Sequence, residues 1–264
     1  MDLELDGKLA LVSGSTAGIG YAIAESLARE GAHVIVNGRT PSRVEAAIAE
    51  LRAAGLKGQL EGFAADLGTS NGVNQITAKF PDVEILVNNL GIFEPKPFEQ
   101  IPDADWLRFF EVNVLSGVRL SRYYLPRMKE RGWGRIVFIS SESALQIPKE
   151  MIHYGMTKTA QLAISRGLAE TTAGTNVTVN TVLPGPTDSE GVAQFVEQMA
   201  AARKISRAEV EKEFFRSVRP SSLLQRFART AEVAAMVTFV CSPLSSATNG
   251  AAIRVDGGVV QAIP

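Results

Sequence analysis

Tyr154 and Lys158 stand four residues apart in the run HYGMTKTAQLAISRGLAE, at the start of a mostly apolar helical pattern. Residues i and i+4 share one helix face, with Cβ atoms roughly 5–6 Å apart, so a phenol and an ammonium so spaced can act on a common target. An unperturbed phenol, with a pKa of about 10, exchanges protons poorly at neutral pH. A neighbouring ammonium favours the anion and brings that value toward working pH, which is what acid–base chemistry requires. The structural alternative is a surface pair whose stems lie along apolar neighbours. The rest of the chain decides between the two.

Short β-branched runs alternate with longer helical patterns along the 264 residues. KLALVSG, AHVIVNG, GQLEGFAAD, VEILVNN, GRIVFISS, NVTVNTVLPG and AAIRVDGG read as about seven strands. Between them lie helical patterns, the longest being DADWLRFFEVNVLSGVRLSRYYLPRMKER. Such alternation implies right-handed crossovers and a parallel sheet covered on both faces, and the continuous apolar runs agree with strands buried on both sides. The expected fold is α/β, one doubly wound domain over residues 1–264 without repeats or linkers. A charged helical segment at about 188–229 interrupts the rhythm and is expected to be a substrate lid. Its Phe195, Met199, Phe214, Phe215, Leu223 and Leu224 fall at helical spacing and read as packing. Arg203, Lys204, Arg207, Lys212, Arg216 and Arg219 are interleaved with Glu209, Glu211 and Glu213, as on a solvated helix. An anionic substrate such as an acyl-carrier or coenzyme A thioester is the functional alternative for those cations.

The first strand runs into Ser13-Gly14-Ser15-Thr16-Ala17-Gly18-Ile19-Gly20 and then directly into a helix. Glycines there let the backbone approach a pyrophosphate, and the helix N-terminus offers free N–H groups at its positive end. The spacing is G-x-x-x-G-x-G, and no Gly-Lys-Ser/Thr follows, so it is not a P-loop. The second strand ends Asn37-Gly38-Arg39-Thr40, without the carboxylate that would take a ribose 2′-hydroxyl. Arg39 instead offers a fork suited to a 2′-phosphate, which favours NADP(H) over NAD(H). Asp66-Leu67 closes the third strand, where a carboxylate could accept from an adenine amino group; a turn or N-cap aspartate is the plain alternative. Asn88-Asn89, Ser140-Ser141 and Pro184-Gly185 end further strands, and ligands of open parallel sheets bind beyond such ends. Asn113 is a polar residue on an apolar helical face, where burial demands a hydrogen-bond partner.

With these residues assembled, the sequence resembles the classical short-chain dehydrogenase/reductase family across essentially its whole length, with the Rossmann-type fold that this implies. The family's T-G-x-x-x-G-I-G corresponds to SGSTAGIG with Ser13 for Thr, and its N-N-A-G to Asn88-Asn89-Leu90-Gly91 with Leu90 for Ala. Its Y-x-x-x-K is Tyr154 and Lys158, and its catalytic serine, thirteen residues before the tyrosine, falls on Ser141, with Ser140 as the register-shifted rival. Its helical asparagine matches Asn113, and VDGG near the end matches as well. The resemblance implies a catalytic set of Asn113, Ser141, Tyr154 and Lys158. It implies a cofactor-binding set of Gly14, Ser15, Thr16, Gly18, Ile19, Gly20, Arg39, Asp66, Leu67, Asn89, Tyr154, Lys158, Pro184, Gly185 and Thr187. Thr187 would help hold the nicotinamide carboxamide and Lys158 the nicotinamide ribose. Hydride would pass from the nicotinamide to a carbonyl carbon, Tyr154 would protonate the developing alkoxide, Ser141 would polarise it, and Asn113 would support a relaying water. No metal is required.

A net charge of −1, from 27 basic and 28 acidic residues spread along the chain, gives no footprint for nucleic acid or an anionic membrane. Cys241 is a lone cysteine and His33 and His153 are not clustered, which leaves little for zinc and fits a reducing, cytoplasmic setting. The acidic start MDLELDGKLALVSG resembles no signal peptide, and no apolar run approaches the roughly 20 residues of a membrane span. The expected activity is an NADP(H)-dependent oxidoreduction of a small-molecule ketone or secondary alcohol, 3-oxoacyl reductase-like chemistry included. Its alternatives are an NAD-dependent alcohol dehydrogenase of the same family and a regulatory dinucleotide-binding protein without turnover, although Tyr154 and Lys158 are both present. A serine hydrolase is disfavoured because G-x-S-x-G is absent around Ser141. Glu142 and His153 flank the candidate residues and stay unassigned. The helical patterns near 103–130 and 154–172 carry more apolar surface than one sheet face covers, which suggests a partner subunit. The resemblance implies a homotetramer built on them.

Overall fold

The structure, a computed structural model, describes residues 1–263 and, at Phe195, the backbone alone. The expectations for the Phe195 side chain and for Pro264 lie outside the described residues. The β-branched runs form β1 (Leu9–Val12), β2 (His33–Gly38), β3 (Leu60–Ala64), β4 (Ile85–Asn88), β5 (Gly134–Ile139) and β6 (Val177–Pro184). Two strands of two residues each, β7 (Thr187–Asp188) and β8 (Ala228–Arg229), pair with one another outside the main sheet, and β9 (Ala252–Val255) returns to it. The seven-stranded sheet is parallel throughout, in the order β3-β2-β1-β4-β5-β6-β9. The order reverses between β1 and β4, where two successive crossovers run to opposite sides and leave a crevice beyond the strand ends.

Alternate strand residues feed two cores. Ala10, Val12, Val34, Val36, Ile85, Val87, Val137 and Ile139 face α1 (Gly18–Arg29), α2 (Pro41–Ala53) and α9 (Thr230–Cys241). Leu11, Ile35, Leu86, Ile136 and Phe138 face α3 (Ser70–Lys79), α5 (Ser116–Arg131) and α6 (Ile152–Glu170). Each such aliphatic side chain, fully buried, contributes about 1.5–3 kcal/mol. Cys241 closes α9 in the first core as a fully buried free thiol.

The long pattern near 103–130 is not one helix. α4 (Asp103–Phe110) and α5 are joined by a π-helical turn over Glu111–Leu115. Asn113 lies in that turn, its amide pair closed on the backbone of Ile92, whose N–H donates to Oδ1 at 2.7 Å and whose carbonyl accepts from Nδ2 at 3.0 Å. Widened turns of this kind sit often at functional sites.

The segment at 188–229 folds as α7 (Glu190–Arg203) and α8 (Arg207–Ser217), bounded by the β7–β8 pairing of Thr187 with Ala228 and Asp188 with Arg229. Val196, Val210, Phe215 and Phe227 form its own small core, with Met199 and Phe214 packed against it. Leu223 departs from the expected packing and is 85% exposed. Arg203 and Arg207 are paired with Glu213 and Asp188 at 2.7 and 2.6 Å. Arg219 breaks the solvated pattern, because it is buried.

Candidate active site

Beyond β1 the chain turns at Gly14 and Gly18, with φ +61° and +60°, conformations that favour glycine. The turn is anchored from two sides. Asn89, past β4, donates its side-chain amide to the carbonyls of Ser13 and Gly14 at 2.9 and 3.0 Å. Asn37, buried at the end of β2, accepts from the Gly14 N–H at 3.1 Å and donates to the carbonyls of Phe63 and Ala65. A Cβ at Gly20 would lie 2.4 Å from the Asn89 amide nitrogen, so α1 starts directly on this anchor. The helix is not capped by the side chain of Ala17, and the N–H groups of Thr16 to Gly20 have no protein partner among the described residues. Free amides converging at a helix N-terminus fit a pyrophosphate.

The expected cofactor residues divide accordingly. Thr16, Gly18, Ile19 and Gly20 lie at the open loop, whereas Gly14 has its N–H committed to Asn37. Ser15 differs from expectation: it is buried, its hydroxyl donates to the Val12 carbonyl and its N–H to that of Asn37, so it supports the loop from below. Leu67 also differs, lying in the second core with 1% exposure. Its neighbour Asp66 is exposed, with Oδ1 accepting from the Gly68 N–H at 2.9 Å. Arg39 is exposed at the end of β2 and has no carboxylate partner among the described residues. A Cβ at the adjacent Gly38 would touch Thr16 Cγ2 at 2.5 Å, which places that strand end against the glycine turn. Pro184 ends β6, Gly185 packs on the backbone of Asp256, and the Thr187 hydroxyl donates to the Gly185 carbonyl at 2.9 Å.

At the other end, α6 presents Tyr154 and Lys158 on one face, the ammonium 5.6 Å from the centre of the phenol ring. Lys158 is buried, donating to the Ile139 carbonyl at 2.9 Å and to Gln161 Oε1 at 3.3 Å. The Ser140 hydroxyl turns to the Lys158 carbonyl at 2.9 Å and fastens β5 to α6, while the Ser141 hydroxyl lies on the Tyr154 side and donates to Glu142. Glu142 is buried, taking the Ser141 hydroxyl at 2.5 Å and the Arg219 Nε at 2.8 Å. Phe93 packs edge-on against Tyr154, ring centres 6.4 Å apart. Asn113 stands near Lys158, both meeting the space beside Gly91, where a Cβ would lie 3.4 Å from the ammonium and 3.6 Å from Asn113 Oδ1. The Asn113 amide donates to Ile92 and to Thr157 Oγ1, and its main-chain carbonyl accepts from Gln161 Nε2 at 2.6 Å. Gln161 thus links the Lys158 ammonium to the Asn113 carbonyl. His153 is fully buried against Phe109 and Trp106, so it cannot touch a substrate.

Electrostatics at this end differ from the expectation that Lys158 lowers the phenol's pKa. Burial raises Tyr154 above its ordinary value; the nearby Ser141 hydroxyl and the Arg219 charge pull it down, and the Glu142 carboxylate pushes it up. Burial also lowers Lys158, to about 7, so its charge is weakened at neutral pH.

The sequence matches the short chain dehydrogenase family over residues 8–200. It is 53% identical over 263 residues to the uncharacterized oxidoreductase YvaG of Bacillus subtilis, with both chains covered in full. The chain belongs to the short-chain dehydrogenase/reductase family. It is an oxidoreductase of that family. Among solved family structures, L-sorbose reductase from Gluconobacter frateurii, complexed with NADPH and L-sorbose, superposes with a TM-score of 0.93 at 29% identity, all of both chains covered. A 7α-hydroxysteroid dehydrogenase complexed with NADH and 7-oxo glycochenodeoxycholic acid superposes at 0.84 with 29% identity, covering 100% of this chain and 98% of the other. Neighbours within the family therefore carry either nicotinamide cofactor.

The low value at Lys158 has a measurable consequence. A lysine at about 7 in the folded chain and 10.5 unfolded binds fewer protons folded across that window, so stability rises with pH there and the buried ammonium costs most below pH 7. Replacing Lys158 by Met removes this cost. The Tm of Lys158→Met relative to the native chain is expected to shift in the variant's favour between about pH 9 and about pH 6, followed by thermal unfolding. A pH-independent difference would contradict the assignment.

Proposed function

We propose that this short-chain dehydrogenase/reductase is an NADP(H)-dependent ketone reductase that interconverts a ketone and a secondary alcohol. The observation carrying this reading is the convergence of the Ser141 hydroxyl, the Tyr154 phenol and the buried Lys158 ammonium beyond the end of β5. The open amides after β1 fit a pyrophosphate, and the unpaired Arg39 beside the glycine turn supports a 2′-phosphate and hence NADP(H). Asp66 would take an adenine amino group, Asn89 would hold the turn in place, and Pro184, Gly185 and Thr187 would border the nicotinamide.

The nicotinamide, when bound, supplies or accepts the hydride. Tyr154 holds the proton to be given to the developing alkoxide, and its raised proton affinity keeps it protonated through neutral pH, as a general acid for reduction must be. Ser141 stands beside the phenol and would donate to the substrate oxygen once its hydroxyl hydrogen turns from Glu142. Lys158 stands behind the ring, and Gln161 orients it by linking it to the Asn113 carbonyl. The segment at 188–229 would cover the substrate, its first residues lying over the glycine turn, where a Cβ at Gly18 would meet Ser189 Cβ at 3.4 Å. Its paired arginines are poorly placed to hold an anionic acyl carrier. A neutral, polyhydroxylated ketone is the better supported substrate, in keeping with the L-sorbose reductase likeness. The lone cysteine, a buried thiol, accords with a cytoplasmic setting.

The proposed assembly is a homotetramer. On α4, Leu107 is 71% and Phe110 38% exposed, apolar surface that a second copy would cover. No large apolar residue of α6 is exposed to that degree among the described residues, so α4 rather than α6 supports the contact.

Turnover of a panel of ketones and alcohols, L-sorbose included, with NADPH and NADH in parallel tests the reading. The native chain should reduce a ketone faster with NADPH; binding of dinucleotide without turnover of any panel member would favour a regulatory protein. Tyr154→Phe is expected to lose at least ~100-fold in kcat while still binding cofactor, measured by nicotinamide fluorescence. Arg39→Asp should move the preference from NADPH toward NADH, read as the ratio of kcat/KM values. Light scattering on the eluting native chain should give the mass of four chains, and Leu107→Asp should lower it.

A further inference from the structure

Glu142 and Arg219 form an ion pair at 2.8 Å, with side chains only 5% and 10% exposed, beside the candidate acid–base residues. Charges so buried are costly unless each polar atom is satisfied, and an apolar pair of similar volume often packs as well. Here the satisfaction is nearly complete. Glu142 accepts from the hydroxyls of Ser141 at 2.5 Å and Ser143 at 2.8 Å through Oε2, and from Arg219 Nε through Oε1. Arg219 gives Nη1 to the Val218 carbonyl at 3.0 Å and to Glu150 at 3.4 Å. Its own N–H donates to the Phe214 carbonyl at 3.0 Å, which fixes it to the end of α8.

The two charges belong to distant parts of the chain. Glu142 follows Ser141 directly after β5, and Arg219 follows α8 in the inserted segment. A carboxylate can only accept, so the Ser141 hydroxyl hydrogen is drawn to Glu142 while its oxygen takes the Ser143 N–H at 3.1 Å and meets Tyr154. We propose that Glu142 and Arg219 are positioning residues: Glu142 fixes the Ser141 hydroxyl against the Tyr154 phenol, and Arg219 holds and neutralises Glu142, tying catalysis to the seating of the inserted segment. This rests on the reading of Ser141 and Tyr154 as the acid–base pair. The charged groups around Tyr154 among the described residues are Lys158 on its own helix, Glu142 beyond β5 and Arg219 beyond α8. The last two act on the phenol with opposite sign.

Opposite signs give a readout that loss of packing alone does not. Reduction needs a protonated phenol, so its rate falls above the phenol's apparent pKa. Glu142→Gln removes a charge that raises this value, and the alkaline limb of kcat/KM should move to lower pH. Arg219→Gln removes one that lowers it, and the limb should move to higher pH. Both should lower kcat at least tenfold, with NADPH binding by fluorescence within twofold of the native chain. Ser141→Ala should cost less kcat in the Glu142→Gln background than in the native one, because the hydroxyl is already misplaced. If the single variants do not fold, Glu142→Gln/Arg219→Gln leaves no buried charge unpaired, Glu150 being 38% exposed, and Ser141→Ala in that background gives the same comparison. Native kcat in the variants, a lowered kcat with an unmoved limb, or a full Ser141→Ala loss in either background would overturn the proposal. Failure of the acid–base reading looks different: Ser141→Ala and Tyr154→Phe would themselves retain native turnover.

Discussion

Two carbonyls after β1 and one amide after β4 carry the arrangement of the site. At the reversal of strand order, the Asn89 side chain bridges to Ser13 and Gly14, locking together two loops that come from neighbouring strands but lead into crossovers on opposite sides. Without that bridge the glycine turn would lose its anchor on the β4 side and be held only through Asn37 and Ser15. Gly20 shows how tight the constraint is, since any side chain there would collide with the bridging amide. Asn37 repeats the device from the β2 side. One buried and one half-buried amide thus brace the glycine-rich turn from two neighbouring strands.

The reacting end is governed by burial instead. Tyr154 and Lys158 share a helix face, yet desolvation is the largest influence on each and moves each away from its charged form. The polar stripe of Lys158, Gln161 and Ser165 along α6 runs inward to the π-helical turn, where Asn113 meets it from the opposite side. The widened turn serves this meeting: the Asn113 side chain closes on Ile92 and Thr157 while its carbonyl faces Gln161. The fold thereby surrounds the ammonium with fixed oxygens rather than with solvent.

Much of this was legible in the residues. Six of the seven strands follow from β-branched runs ending in Gly, Asn or Ser, the exception being the third, LEGFA before Asp66, and the glycine spacing with Tyr154 and Lys158 suffices for the family. What escaped depends on direction and depth rather than on residue type. Ser15 and Leu67 sit within recognisable motifs but turn into the core. The long helical pattern hides a π turn because helical sequence continues on both sides of it and no residue type marks the widened turn. Arg219 resembles its solvated neighbours in sequence, and only tertiary contact with Glu142 sets it apart. Gln161 had a signal that went unread, since it lies three residues beyond Lys158 on the same buried face.

Cys241 carries one more implication. Its thiol is enclosed in the first core where α9 ends, near Arg135 of β5, and pushed up to about 12 by burial, so almost no thiolate exists in the folded chain at neutral pH. Electrophiles can reach the sulfur only when that helical layer lifts from the sheet. The chain therefore has a built-in clock for its own opening: the rate at which a thiol reagent labels this one atom counts excursions of the layer that backs the glycine turn.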